Sequence, residues 1–211
     1  MTAVAPMTSA EALQHLIDGN ERFVAGVPVQ RPPQRDRLVE FAEAQHPFAS
    51  VLGCSDSRVS PEMVFDQGLG DLFTVRVAGN VIGAEVLGSL AYALEHLATP
   101  LFVVLGHEGC GAVQAALQAW RGGPSEHARI AELLDLILPA LEEIDPGESP
   151  AAQLHRAVEA NVRQVVRRLA MTRAGHAALA NGRILLVGAV YELASGRVRF
   201  LPEDPSADPH P

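Results

Sequence analysis

Apolar residues in this chain gather in short runs set between longer stretches of helical period. Four runs, at 48–53, 72–77, 101–106 and 184–190, have the length and composition of strands. Two of them contain Leu101-Phe102-Val103-Val104-Leu105 and Ile184-Leu185-Leu186-Val187. Such continuously apolar segments suit strands covered on both faces, as in a parallel sheet. Between the runs, apolar positions recur at helical spacing over 86–97, 112–120, 126–144 and 151–169. Strand–helix alternation predicts an α/β fold: a mostly parallel central sheet of about four strands, flanked by helices. A last run at 198–201 follows Ser195-Gly196 and reads as a hairpin partner of the strand at 184–190, hence an antiparallel edge strand.

The N-terminal segment has its own pattern. Residues 8–25 read as a helix that Thr8 or Ser9 can cap, with Glu11 in the first turn and Leu13, Leu16, Ile17, Asn20 and Phe23 at helical spacing. A proline-bearing arm follows at 26–33 and cannot be a regular helix. The chain thus divides into an N-terminal helix and arm (1–33), an α/β domain (34–201) and a proline-rich flexible tail (202–211), with no internal repeat.

Composition narrows the class. A chain of 211 residues is expected to form one main domain, and 48% hydrophobic with 19% charged content predicts a folded protein. The net charge of −9 argues against nucleic acid or an anionic membrane as partner, since both call for a basic face. The N-terminus has no basic segment leading into an apolar one, and no apolar run approaches the roughly 18 residues of a membrane span. A cytoplasmic location with reduced thiols is the expectation.

The chemistry concentrates at two strand ends. The chain has two cysteines, in Gly53-Cys54-Ser55-Asp56-Ser57-Arg58 and in Gly106-His107-Glu108-Gly109-Cys110-Gly111. Two thiolates, an imidazole and a carboxylate are zinc-ligand types, and four make a tetrahedral site. His107 and Cys110, three apart at a predicted helix start, share one face of its first turn. Cys54 and Asp56 lie just past a strand end, and Arg58 can pair with Asp56 in bidentate fashion. Open α/β sheets bind ligands outside the carboxyl ends of their strands, where Cys54 and His107 stand.

Other readings remain open at this point. The cysteines can be small buried hydrophobes, ligands of a closed structural zinc site, or a nucleophile, although Cys54 has no histidine base beside it in sequence. Gly68-Leu69-Gly70 and Gly109-Cys110-Gly111 do not complete a dinucleotide-binding motif. The other seven histidines lack ligand spacing, and Trp120 reads as a packing residue.

These residues resemble the β-class carbonic anhydrases. The resemblance covers Cys54-Ser55-Asp56-Ser57-Arg58-Val59, Pro61-Glu62, Gly70-Asp71-Leu72-Phe73, Val75-Arg76-Val77-Ala78-Gly79-Asn80, Gly88-Ser89-Leu90-Ala91-Tyr92-Ala93, and Leu105-Gly106-His107 through Cys110-Gly111-Ala112. It implies that Cys54, His107 and Cys110 are permanent ligands of one zinc ion. Asp56 and Arg58 match a catalytic dyad in which Asp56 either takes the fourth zinc position or turns to Arg58 and lets water bind. Gln45, nine residues before Cys54, matches a glutamine that reaches substrate from the neighbouring subunit. Phe73, Ala78 and Tyr92 match the apolar lining of the carbon dioxide cleft, with Ala78 where some relatives carry valine, and Gly111 lies at the cleft floor. Arg76 and Tyr191 match two groups of a non-catalytic bicarbonate site present in some members. The tryptophan of that site is replaced by Val51, as in members without it.

The implied activity is the zinc-dependent, reversible hydration of carbon dioxide to bicarbonate and a proton, by attack of zinc-bound hydroxide. The implied assembly is a homodimer or dimer-based tetramer, with the N-terminal helix embracing the partner; its Leu13, Leu16 and Phe23 face is compatible with that, the alternative being core packing within one subunit. The alternatives are hydrolysis of another small heterocumulene, carbonyl sulfide, on the same scaffold, or a non-catalytic zinc-stabilised scaffold.

Overall fold

The computed structural model describes residues 7–29, 35–124 and 126–202, without the side chains of residues 35–37 and 40. The last part of the predicted arm and all but the first residue of the tail lie outside the described residues. The five expected strands form as β1 (Ala49–Gly53), β2 (Leu72–Arg76), β3 (Leu101–His107), β4 (Leu185–Tyr191) and β5 (Val198–Phe200). They make one sheet in the order β2-β1-β3-β4-β5. The first four are parallel and β5 runs antiparallel to β4.

Register carries the site. Gly53 ends β1 opposite Leu105 of β3 on one side and Arg76 of β2 on the other. The next residue, Cys54, therefore comes level with the end of β3, where His107 stands. β3 is central with β1 beside it, and every residue in both is buried, which accounts for the apolar run Leu101–Leu105.

Side chains alternate between two apolar layers. Leu52, Phe102 and Val104 face a cluster built with α4 (Ala84–Tyr92), α5 (Gly111–Trp120) and α7 (Pro150–Ala170). Val51, Leu101, Val103 and Leu105 face the opposite layer, covered by α1 (Ser9–Val24) and the short α3 (Pro61–Val64). Between α1 and α3 in the chain lies α2 (Arg35–Glu43). On the other side, α6 (Ala128–Asp135) precedes α7, and α8 (Arg173–Ala180) follows it.

Helix α1 begins as expected. Thr8 accepts from the Glu11 N–H while the Glu11 carboxylate accepts from the Thr8 N–H, a reciprocal cap. Its apolar face packs as the within-subunit reading has it: Leu16 is fully buried on the sheet of its own chain, and Leu13 and Phe23 pack against the same cluster. Two further features seat the helix. Gly19 backs onto the Phe65 carbonyl so closely that a Cβ there would lie 1.8 Å from it. Asn20 is buried and donates to the carbonyls of Val64 (3.0 Å) and Gly196 (2.9 Å), while its Oδ1 accepts from the Val198 N–H (2.8 Å).

The segment 126–144, read as one helix, is two. α6 stops at Asp135 and a 3-10 turn, Leu138–Leu141, replaces the rest. Pro139 lacks the N–H that a continuing helix requires. The helix expected at 86–97 starts at Ala84 and ends in a π turn, Ala93–Leu97, closed by Ala98 at φ 52°. Three helices, α2, α3 and α8, carry too short a pattern to be read from sequence.

Candidate metal centre

Cys54, His107 and Cys110 converge. Their ligand atoms all lie within 4.8 Å of one another, and all three residues are buried. Cys54 comes from the end of β1, His107 from the end of β3, and Cys110 from the residue before α5, at that helix's N-cap. The two sulfurs are 4.0 Å apart. Two thiolates at about 2.3 Å from one tetrahedral zinc would lie about 3.8 Å apart, so the spacing suits that ion. His107 is oriented for the same task. Its Nδ1 lies 2.9 Å from the Glu108 carbonyl, which can only accept, so the proton sits on Nδ1. Nε2 then carries the lone pair, and it is buried with no hydrogen-bond partner among the described residues. A buried orphan nitrogen beside two thiols is the expected signature of a metal ligand, because only a ligand offsets its desolvation.

The thiols are unequal. Cys110 donates to Cys54, which lowers the Cys54 pKa against the opposing effect of burial, with His107 and the backbone N–H groups of Asp56 and Gly79 helping. The Cys110 thiol is pushed up by that donation and by burial. The Gly79 N–H reaches the Cys54 sulfur at 3.3 Å. Gly79 sits at φ 68°, a region that favours glycine, in the 3-10 turn Ala78–Asn80.

Asp56 is held by Arg58. The guanidinium donates from Nε to Oδ1 (2.9 Å) and from Nη2 to Oδ2 (2.7 Å), and the Arg58 N–H adds a third bond to Oδ1 (3.0 Å). Chiefly the guanidinium bonds hold this carboxyl well below the usual carboxylate range. Asp56 Oδ2 still lies 3.9 Å from His107 Nε2, within reach of whatever that nitrogen binds. Of the two arrangements expected for Asp56, the structure has the one facing Arg58.

The remaining predicted residues fall into two groups. Ala78 precedes Gly79, and Gly111 follows Cys110, so both border the metal cluster. Gln45, Phe73 and Tyr92 lie elsewhere. Gln45 precedes β1 whereas Cys54 follows it, and Gln45 and Tyr92 share the wall of an open cavity of about 660 Å³ with Phe41, Leu69 and Leu72. Phe73 pairs with Ser50 in register and stacks on Tyr92 with ring centres 6.3 Å apart. Ser50 is four residues from Cys54, about 13 Å along an extended strand. Within one chain these three side chains do not reach the metal cluster.

Two contributions escaped the sequence reading, the hold of Arg76 on the ligand loop and that of Asn161 on Gly79. Arg76 donates from Nε to the Cys54 carbonyl (2.9 Å) and from Nη2 to the Asp56 carbonyl (2.6 Å), tying down the loop that carries both side chains. Asn161 of α7 donates to the Gly79 carbonyl (2.8 Å). The sequence signal for Asn161 was a polar residue among Val158, Val162 and Val165 on the apolar face of α7. Arg76 and Tyr191, matched to a bicarbonate site in the sequence, are engaged differently. Arg76 holds loop carbonyls, and Tyr191 is buried in the α1 layer, level with His107.

Comparison with known proteins agrees with this geometry. A sequence model of the family described as "Carbonic anhydrase" matches residues 49–198. A carbonic anhydrase of Mycolicibacterium smegmatis is 40% identical over 196 residues, covering 92% of this chain and 93% of that protein. Carbonic anhydrase 2 of Mycobacterium tuberculosis is 42% identical over 197 residues, covering 91% of each. The chain belongs to the β-carbonic anhydrases. The solved β-carbonic anhydrase CcaA superposes with a TM-score of 0.74 at 26% identity, over 92% of this chain and 93% of that one. A Coccomyxa β-carbonic anhydrase, solved with acetazolamide, gives 0.71 at 25% identity over 90% and 86%. The mostly parallel sheet with one antiparallel edge pair is the fold of that class. The reaction of a β-carbonic anhydrase, the reversible hydration of carbon dioxide, is the reaction of this chain, and zinc is its cofactor.

Proposed function

We propose that this chain hydrates carbon dioxide at a zinc ion held by Cys54, His107 and Cys110, with Asp56 and Arg58 as the catalytic dyad. The observation that carries the assignment is the orphan His107 Nε2, buried beside two sulfurs and 3.9 Å from the Arg58-held Asp56 Oδ2. Zinc bound there supplies Lewis acidity, lowering the pKa of a coordinated water towards neutrality.

The chain's own residues do the rest. Cys54 and Cys110 bind as thiolates and His107 binds through Nε2, its Nδ1 proton anchored on the Glu108 carbonyl. Arg58 keeps Asp56 ionised and turned away from the fourth ligand position. Asp56 Oδ2, an acceptor only and 3.9 Å from His107 Nε2, would accept a hydrogen bond from a water held there and orient its proton. Arg76 fixes the loop that presents the dyad. Ala78 and Gly111, small and close to the ligands, leave room for a linear apolar substrate.

Gln45, Phe73 and Tyr92 act from a second copy of the chain. The support is their place at the far end of β1 from Cys54, on an open and partly aromatic surface, where a neighbour's metal cluster can meet them. The working assembly is thus a homodimer or a dimer-based tetramer. Among the described residues no helix is long and apolar enough to cross a membrane, and we place the enzyme in the cytoplasm, where both thiols stay reduced for the metal.

Stopped-flow hydration of carbon dioxide by the zinc-loaded protein, with carbonyl sulfide in parallel, tests the assignment. Hydration of carbon dioxide without turnover of carbonyl sulfide is expected. An inactive protein with its full zinc content would overturn the assignment.

A further inference from the structure

Two buried asparagines flank Gly79, and neither is satisfied. Asn80 Nδ2 and Asn161 Oδ1 are buried without hydrogen-bond partners among the described residues. Both residues are almost wholly inaccessible. Asn161 lies on the apolar inner face of α7, where Ala157, Val158, Val162 and Val165 pack against the sheet. A carboxamide with one end unpartnered in such a place destabilises the fold relative to an apolar side chain. Its one bond is directed: Asn161 Nδ2 donates to the Gly79 carbonyl at 2.8 Å, and the Gly79 N–H in turn meets the Cys54 sulfur at 3.3 Å.

We propose that Asn161 is a positioning residue for the metal centre, holding the Gly79 backbone so that its N–H stays on the Cys54 thiolate. Gly79 needs such a hold. At φ 68° it has no side chain to hold its peptide planes, and the plane that carries its carbonyl is held at one edge by the Asn80 N–H on the Val77 carbonyl (2.9 Å) and at the other by Asn161. The Asn161 carboxamide grips the plane on the C-terminal side, and the N–H on the other side then faces the sulfur. A hydrogen bond to a ligating sulfur takes up part of its charge and fixes its direction before the metal arrives, the usual task of groups behind the ligands. α7 thereby reaches the metal centre without supplying a ligand.

This inference rests on zinc binding by Cys54, and the test separates the two. Cobalt(II) replaces zinc in wild type and in Asn161→Ala, Asn161→Leu, Asn20→Ala and Cys54→Ala variants, and the near-ultraviolet thiolate-to-cobalt absorption is recorded. Zinc affinity is measured alongside by chelator competition. Asn20 is another buried asparagine that bonds backbone on the far layer, so Asn20→Ala controls for lost stability alone. The Asn161 variants should bind zinc about tenfold or more weakly, within the range for lost support of a ligand. Their charge-transfer band should move to longer wavelength, because a sulfur without its N–H bond gives up an electron more easily. Asn20→Ala should leave both readings at wild-type values. Asn161→Leu removes the unpartnered oxygen as well, so a variant that is as stable as wild type yet binds metal weakly supports positioning. An unmoved band and unchanged affinity in both Asn161 variants, or equal shifts in Asn20→Ala, overturn it. If instead Cys54→Ala keeps the wild-type band and affinity, zinc ligation by Cys54 itself fails, and this inference fails with it.

Discussion

At the scale of residues, Cys54 is met from several sides. Its sulfur has the Cys110 thiol at 4.0 Å and the Gly79 N–H at 3.3 Å, and its carbonyl takes the Arg76 guanidinium. A side chain so placed has one chemical outlet, ligation. Cys54→Ala and His107→Ala should each lose zinc and activity together, read by metal analysis of the purified protein. A Cys54→Ala, Cys110→Ala double variant that kept tight stoichiometric zinc would refute the ligand set. The dyad makes a pH prediction. Asp56 is held below its usual range, so its pairing with Arg58 contributes stability above the unfolded pKa of about 3.9 and loses it as the pH falls through the lower folded value. Between about pH 6 and 9 Asp56 in this arrangement therefore stays ionised, and a change in activity across that window reports another group. We expect kcat/KM to rise with pH, with a midpoint above the value of about 7 for a three-histidine zinc site, because two thiolates donate more charge to the metal. Arg58→Ala frees Asp56 to turn towards the metal and should lower kcat/KM by about 10²-fold with zinc content intact. An undiminished Arg58→Ala variant would show that the dyad does not gate the site.

At the scale of elements, α1 is the instructive case. Its Leu13, Leu16 and Phe23 pattern is that of any amphipathic helix, and the pattern alone names no surface for it to cover. Gly19 and Asn20 decide the matter, one by the close approach it permits and the other by three backbone hydrogen bonds across to α3 and the β4–β5 hairpin. Gly19→Ala drives a Cβ against the Phe65 carbonyl, which is backbone and cannot swing aside. Urea unfolding should register a loss of about 2–3 kcal/mol. Asn20→Ala strands the Val198 N–H and should cost about 1–3 kcal/mol in the same measurement. Wild-type stability in both variants would mean that α1 is not seated on its own sheet.

At the scale of the whole molecule, the separation of Gln45, Phe73 and Tyr92 from the cysteines makes the strongest claim. If these side chains serve a neighbour's metal centre, two differently damaged chains should repair each other. Gln45→Ala keeps the metal cluster, and Cys54→Ala keeps the glutamine. After the two inactive or weak variants are mixed and allowed to exchange subunits, one site in each mixed dimer has both parts. Activity should recover to about a quarter of wild type for statistical dimers. No recovery, with subunit exchange demonstrated by mass spectrometry, would place Gln45 outside the site.

What the sequence determined by itself is whatever depends on neighbours along the chain. Apolar runs of strand length gave away the strands: β3 and β4 are nearly unbroken, and β1, β2 and β5 stay legible although Ser50, Thr74, Arg76 and Arg199 interrupt them. The capping residues of α1 and the reach of Arg58 to Asp56, two residues away, are equally local. The ligand types Cys54, His107 and Cys110 were legible because nothing else in the chain offered thiols. Tertiary structure decided the rest. Cys54 and Cys110 are 56 positions apart, and only the pairing of β1 with β3 in one register makes them neighbours. The burial of α1 on its own sheet, the placement of the Gly79 N–H on a sulfur and the reach of Asn161 to Gly79 depend on contacts between distant segments. Such contacts carry no periodic signature, so they appear only once the chain is folded.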